Sequence, residues 1–246
     1  MPRVCPAVPS RVLVVVPALN EARSVGGVVA RVYAALDGVD VLVVDDGSTD
    51  RTASMARAAG ALVVSLHYNL GVGGAMRTGF RYAERCGYDA VVQIDADGQH
   101  DPAFLPDVLA GLQDAEVVIG ARFAGLGDYA VSGPRSWAMG SLSRVVGRVV
   151  GARLTDVTSG FRAADRRAVR VFARHYPAEY LGDTVESLVI AHRSGLRITQ
   201  VPVAMRVREH GVPSQRVVGS VLYLGRASVA LGLALVRRWP AVEAHT

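Results

Sequence analysis

The chain has 246 residues, half of them hydrophobic and 20% charged, which excludes a disordered chain and suffices to bury the core of one large α/β domain. The net charge is +5, and all 27 basic residues are arginine, with no lysine. Aromatic residues are only 6% of the chain and do not interleave with the arginines, so no nucleic-acid partner is expected.

The planar guanidinium fork suits phosphate, so the arginine bias fits an acidic ligand; biased codon usage explains it equally well. Cys5 and Cys86 are the only cysteines and form no C-x-x-C pair, which excludes a disulfide framework and fits a reducing compartment. Met1 to Arg11 is polar and proline-rich without a signal-peptide pattern, so a cytoplasmic location is expected. Cys86 and Trp137 read as core residues.

In chain order, Arg11–Val16 is a valine-rich strand ended by Pro17. Glu21–Leu36 has helical spacing, with Val25, Val28, Val29, Val32 and Leu36 on one side. Val39–Val44 is a second strand, ended by Asp45-Asp46-Gly47, and Ser48 or Thr49 is placed to cap a helix running to Ala59. Ala61–Leu66 is a strand, Gly73–Arg85 a helix, Asp89–Ile94 a strand, Pro102–Leu112 a helix and Glu116–Ile119 a strand. This alternation predicts βαβ units: a mostly parallel sheet with helices on both faces, which explains why the strands are continuously apolar. The second half is less regular. Ser136–Val150 is helical, Asp156–Arg162 a polar turn, Thr184–Ser194 a helix and Leu196–Val203 a strand, followed by a basic loop over Arg206–Arg216 and an apolar helix over Val217–Val236.

In such sheets, ligands bind beyond the carboxyl ends of the strands. Each strand here leads into a polar cluster: Pro17 to Glu21, Asp45 to Ser48, Asn69 to Ala75, Asp95 to His100, and Gly120 to Arg122. On one sheet edge these five clusters make one cleft. Asp95, Asp97 and Gln99 stand at alternate positions past a strand, so their oxygens face one point. Carboxylate and amide oxygens suit Mg2+ or Mn2+; the competing reading is a turn built on Asp97-Gly98. His100 reads as a hydrogen-bonded loop histidine. Of Asp45 and Asp46, one suits a base or ribose and the other a helix N-cap, and Asp46 is favoured for the ligand. Gly71–Ala75 lacks the Lys-Ser/Thr of a P-loop, and its glycines serve either ligand approach or packing. Arg122 and Arg208 are candidate phosphate clamps.

The elements P-x-x-N-E, D-D-G-S, D-A-D-G-Q-H, G-x-R, D-x-T-S-G-F-R and R-x-x-G occur in this order from about Val12 to Gln215. The ordered set resembles glycosyltransferase family 2, with the GT-A fold, and within it the polyprenyl-phosphate (dolichol-phosphate) mannose synthase branch. That resemblance implies an inverting, metal-dependent transfer of a sugar from a GDP-mannose- or UDP-glucose-type donor to a polyprenyl phosphate. It implies that Pro17, Leu19, Glu21, Val44 and Asp46 line the nucleotide pocket. Asp95, Ala96 and Asp97 would contact the donor, Asp95, Asp97 and Gln99 would serve Mg2+ or Mn2+, and Arg122 would hold the donor. Asp156 to Arg162 would shape the acceptor side, Arg208 would bind phosphate, and Glu186 would hold a basic partner; Asp97, Arg208 and Glu186 form the catalytic set. Two departures stand out. Leu19 replaces a frequent aromatic, and Gly211-Val212-Pro213-Ser214-Gln215 is one residue longer than the family's G-x-S-K and lacks its lysine, for which Arg216 could substitute.

A phosphate acceptor is already anionic and needs little general-base help. A hydroxyl acceptor on a soluble molecule is the alternative, with Asp183 or Glu186 as base, and a non-catalytic nucleotide-binding protein is a third reading. The expected organisation is a GT-A domain over 1–215 and a C-terminal apolar helix over 216–246. Arg226 and three glycines interrupt that helix, so it is expected on the membrane face or packed on the domain, not spanning. The expected location is peripheral, at the cytoplasmic face of the membrane.

Overall fold

A computed structural model describes residues 9–122, 134–177 and 183–206. Its seven-stranded sheet has the order β3-β2-β1-β4-β6-β5-β7. The strands are β1 Val12–Ala18, β2 Asp40–Asp45, β3 Leu62–Ser65, β4 Ala90–Gln93, β5 Val117–Ala121, β6 Arg162–Asp165 and β7 Ile198–Pro202. All run in one direction except β6, which is antiparallel to both β4 and β5. The helices are α1 Val25–Ala35, α2 Thr52–Ala58, α3 Gly71–Cys86, α4 Leu105–Ala110 between short 3-10 turns, α5 Pro134–Val150, α6 Arg166–His175 and α7 Asp183–Arg193.

Two cores lie on opposite faces of the sheet, as continuous apolar strands require. Val12, Val14 and Val16 of β1 face Val25, Val28, Val29 and Val32 of α1, with Leu105 and Val108 of α4 in the same cluster. Leu13 and Val15 face the other way, among Met76 and Phe80 of α3, Phe172 of α6 and Leu188 of α7. A Cβ at Gly79 would lie 2.5 Å from Val15 Cγ1, so only glycine lets α3 sit this close to β1.

The strand and helix alternation of the first half is as expected, and the differences have local causes. β1 continues through Pro17 because pairing with β4 ends at Val15, so the N–H that proline lacks has no partner strand to meet. Ser48 and Thr49 do not cap α2: Ser48 Oγ accepts from Asn20 N–H at 2.9 Å, and Thr49 N–H donates to Asn20 Oδ1 at 2.9 Å. Asp50 takes the capping role, accepting Thr52 N–H at 2.9 Å. Cys86 is exposed, not core, because it ends α3 on the solvent side before Gly87.

β6 and α6 were not expected. The Arg-Ala-Ala-Asp sequence of β6 has no branched apolar run, yet Ala163 and Ala164 are buried between β4 and β5. Asp165 caps α6, accepting Ala168 N–H at 2.8 Å. The boundary expected near 215, the basic loop beyond Arg206 and the apolar helix over 217–236 lie outside the described residues, as do the side chain of Trp137 and all of Arg208.

Candidate active site

The carboxyl ends of β1, β2, β3, β4 and β5 share one edge of the sheet. Because β6 is reversed, its amino end, and with it the turn 156–161, reaches the same edge. α7 feeds a strand parallel to β5, so Asp183 and Glu186 in its first turn also start there. Chain direction alone therefore brings seven segments to one cleft.

The loop after β4 turns over Ala96 and Asp97 with Gly98 at φ +76°, as in the competing reading of this stretch, while burial alternates along it. Asp95, Asp97 and Gln99 are half-exposed, whereas Ile94, Ala96, Gly98 and His100 are buried, so the three oxygen-bearing side chains lie on the open side. Asp97 Oδ1 accepts Gln99 N–H at 3.0 Å, which folds the loop. Asp95 is held from behind: Gln93 Nε2 donates to its Oδ1 at 3.2 Å, and its own N–H donates to His100 Nδ1 at 3.1 Å. His100 is buried and stacks on Phe161 at 5.3 Å, so it supports the loop as expected. Gly160 closes over Asp95: a Cβ there would lie 3.0 Å from both carboxylate oxygens.

The neighbouring loops are joined to one another. Asn20 adopts φ +56°, a left-handed conformation that asparagine tolerates, and so reaches the loop after β2. Glu21 N–H donates to Thr52 Oγ1 at 2.8 Å, and its carboxylate accepts from Ser24 Oγ at 2.6 Å. Asp46 is buried, and its two oxygens accept Leu70 N–H at 2.7 Å and Gly71 N–H at 2.8 Å. Asp46 therefore anchors the start of α3, where the helix dipole favours a carboxylate. Burial nevertheless pushes its pKa up, against the lowering effect of the two N–H bonds. Asp45 takes a turn role, accepting Ser48 N–H at 3.0 Å. Pro17 and Ala96 are buried at the cleft floor and Leu19 is exposed at its rim. Val44 is fully buried in the α3-side core, so its side chain underlies the pocket and offers no surface to a ligand.

Arg122 meets Asp156 as a fork. Its Nε donates to Asp156 Oδ2 at 2.6 Å and its Nη2 to Oδ1 at 2.9 Å; Nη2 also donates to Thr158 Oγ1 at 2.8 Å. Burial opposes ionisation of Asp156, but the Arg122 hydrogen bonds and charge outweigh it and hold the carboxyl below its ordinary value. Arg162, also buried, donates to the carbonyls of Val157, Ser159 and Thr184 and to Ser187 Oγ, joining the turn 156–161 to α7. Burial pushes the Asp183 carboxyl up, with the Arg162 charge opposing. The described chain ends beside the Asp97 loop, where Arg206 N–H donates to Gln99 carbonyl at 2.8 Å, two residues before Arg208.

Residues 13–173 match the family described as Glycosyl transferase family 2. This chain belongs to glycosyltransferase family 2. The glycosyltransferase is 37% identical over 214 residues to undecaprenyl-phosphate mannosyltransferase of Micrococcus luteus, covering 82% of this chain and 86% of that one. It is 29% identical over 211 residues to polyprenol monophosphomannose synthase of Mycolicibacterium smegmatis, covering 82% and 80%. Its sequence thus falls with the polyprenyl-phosphate mannose synthase branch. Its fold is the GT-A fold: glucosyl-3-phosphoglycerate synthase of Mycobacterium tuberculosis, crystallised with Mn2+, uridine diphosphate and phosphoglyceric acid, superposes with a TM-score of 0.68 at 22% identity, over 94% of this chain and 87% of that one.

Two residues that shape the site of this glycosyltransferase, Gln93 and Asn20, had no expected role of their own. Gln93 carried a signal, being the one polar residue of β4. Asn20 lies inside P-x-x-N-E, and Gly160 and Arg162 in the stretch expected to shape the acceptor side, but the contacts of Asn20 with the loop after β2, of Gly160 with Asp95 and of Arg162 with α7 all cross long sequence separations.

Proposed function

We propose that this glycosyltransferase moves a sugar, with inversion, from a nucleotide diphosphate sugar of the GDP-mannose or UDP-glucose type to a polyprenyl phosphate. The observation that carries the reading is the half-exposed trio Asp95, Asp97 and Gln99 on the open side of the cleft. The names of the relatives at 37% and 29% identity support the polyprenyl-phosphate acceptor.

The trio fits a hard divalent cation. Two carboxylates and an amide do not fill the coordination shell of such a cation and leave positions for a diphosphate. Asp95, Asp97 and Gln99 would hold Mg2+ or Mn2+, which supplies charge neutralisation for the departing nucleoside diphosphate. Pro17, Leu19 and Glu21 would border the base, with Asp46 fixing the loop beside it and Ala96 beneath the donor. Arg122, positioned by Asp156, would face the donor phosphates, and Arg208 the phosphate of donor or lipid. Glu186, at the start of α7, would orient a basic partner. No general base is required, since the acceptor phosphate is anionic at neutral pH. The proposed location is peripheral, at the cytoplasmic face of the membrane; among the described residues no helix is long and apolar enough to cross a membrane.

The test is transfer from GDP-mannose, UDP-glucose and UDP-N-acetylglucosamine to a short polyprenyl phosphate, with and without divalent metal. The expected result is a metal-dependent glycosyl phospholipid from one donor. Transfer only to a soluble hydroxyl acceptor would overturn the lipid reading, and no binding of any sugar nucleotide in the presence of Mn2+ would overturn catalysis altogether.

Gly160→Ala offers a separate check on Asp95. Its Cβ would crowd both Asp95 oxygens and Gln93 Nε2, so the carboxylate must turn. Mn2+ affinity, read by electron paramagnetic resonance, is expected to fall about 10-fold, the usual effect of disturbing a group that orients a metal ligand. Unchanged affinity would show that Gly160 does not set the carboxylate.

A further inference from the structure

The net positive charge of this chain is concentrated on one pair of helices. α3 and α6 together carry seven arginines and one glutamate, a net +6, whereas the whole chain carries +5. Outside these two helices the chain is close to neutral.

The arginines are ordered. Arg77, Arg81 and Arg85 recur every fourth residue on α3, and Arg166, Arg170 and Arg174 do so on α6. Residues four apart lie on one helix face, so each set is a stripe. The helices pack directly through Phe80 and Phe172, whose rings are 5.1 Å apart, and α6 runs back along α3. Arg166 at the start of α6 meets Asp89 just beyond the end of α3, and Arg77 Nη2 donates to the carbonyl of Arg174 at 2.6 Å. The two stripes therefore form one surface.

Like charges at this spacing oppose helix formation and persist here with little internal compensation. Glu84 meets Arg174 at 3.4 Å and Asp89 meets Arg166. Arg81, Arg85 and Arg170 are exposed and meet no carboxylate among the described residues. Six guanidinium groups against two carboxylates make a broad electropositive face. The face also adjoins the cleft: α3 starts on the Asp46 carboxylate, and α6 ends before the segment that leads to Asp183.

We propose that the α3–α6 face docks on an anionic phospholipid surface, with Arg81, Arg85 and Arg170 against the headgroup phosphates. This rests on the reading of the acceptor as a polyprenyl phosphate, which resides in such a surface. Guanidinium forks match phosphate geometry, and an extended flat array suits a plane of headgroups better than one bound anion. Docked this way, the end of the face where α3 starts brings the cleft edge of the sheet toward the headgroups.

The test is sedimentation of the full chain with phosphatidylglycerol–phosphatidylcholine vesicles and with pure phosphatidylcholine vesicles, at low and high salt. The parent is expected to bind the anionic vesicles selectively and to be released by salt. The combined variant Arg81→Gln, Arg85→Gln and Arg170→Gln is expected to bind about 100-fold more weakly, at roughly 5-fold per arginine near an anionic surface. The matching triple lysine variant should retain binding, which separates lost charge from lost fold. Variant binding equal to the parent's would overturn the proposal and assign attachment elsewhere, for instance to 207–246. Equal binding of the parent to neutral vesicles, no vesicle binding, or displacement of the vesicles by RNA at lower concentration than by free anionic lipid would also overturn it. Transfer to detergent-dispersed short polyprenyl phosphate should be unchanged in the glutamine variant. Salt-sensitive vesicle binding without any transferase activity would leave the docking face standing and remove the catalytic reading.

Discussion

Asp97→Asn is expected to fold as the parent does and to transfer sugar at least 10²–10³-fold more slowly, the loss typical of removing one preorganised electrostatic contact from a reacting centre. The loop turn is expected to survive because one structural task of Asp97, accepting Gln99 N–H at 3.0 Å, is one that an amide oxygen does as well. What the amide lacks is the negative charge, and a cation shared between two carboxylates and a diphosphate depends on that charge. Thermal melting, Mn2+ binding and initial transfer rate measured on one preparation separate the effects. An unchanged melting temperature with weakened Mn2+ binding and lost activity is the expected pattern, and full activity would remove Asp97 from the site.

Asp156→Ala is expected to act through stability first. Asp156 is 1% exposed and its Arg122 partner is itself mostly buried, so the variant removes a bidentate carboxylate from a mostly buried guanidinium. Breaking a buried pair on one side costs about 3–5 kcal/mol, and for a domain of this size each kcal/mol lowers the melting temperature by roughly 2–4 °C. The pH dependence has a definite sign. The folded-state pKa of Asp156 lies below its ordinary value of 3.8, so its stabilisation is complete above that value and is lost as the pH falls through the folded pKa. The parent should therefore lose this contribution in acid below about pH 4, and the variant's melting temperature should fall less steeply over that range. Parallel acid curves for the two proteins would show that the pair contributes no linkage. The same variant removes one of the two arginine ties on the turn 156–161 that carries Gly160, so Mn2+ affinity should weaken with it.

These expectations draw on different levels of information. The first half was legible because its strands are continuous valine and leucine runs and each is followed by a helix of ordinary length; local pattern and fold agree there. The placement of Asp95, Asp97 and Gln99 was legible only in part: burial alternates as their spacing suggests, but the chain is not extended there, because it turns over Ala96 and Asp97 with Gly98 at φ +76°. β6 was not legible. Arg-Ala-Ala-Asp has no strand pattern of its own; it becomes a strand by pairing with β4 and β5, with Ala164 facing the α3-side core and Ala163 the α1-side core. α6 escaped notice for a related reason: its arginine stripe masks a buried side made of alanine, valine and one phenylalanine.

The roles of the motif residues divide along the same line. Residue type and order were enough to place the chain in its family, to position the polar clusters at strand ends and to single out Asp95, Asp97 and Gln99, because these follow from chain direction and local chemistry. Which carboxylate is open to a ligand was decided by packing across long sequence separations. Asp46, favoured as the ligand contact, has both oxygens turned to the start of α3, 24 and 25 residues away. Arg122, read as an open clamp, is oriented by a carboxylate 34 residues later. Val44, which the resemblance placed in the nucleotide pocket, has its side chain wholly in the core. A hydrogen bond or a contact to Cβ acts over a few ångströms of space, and only the folded sheet brings such residues within that distance.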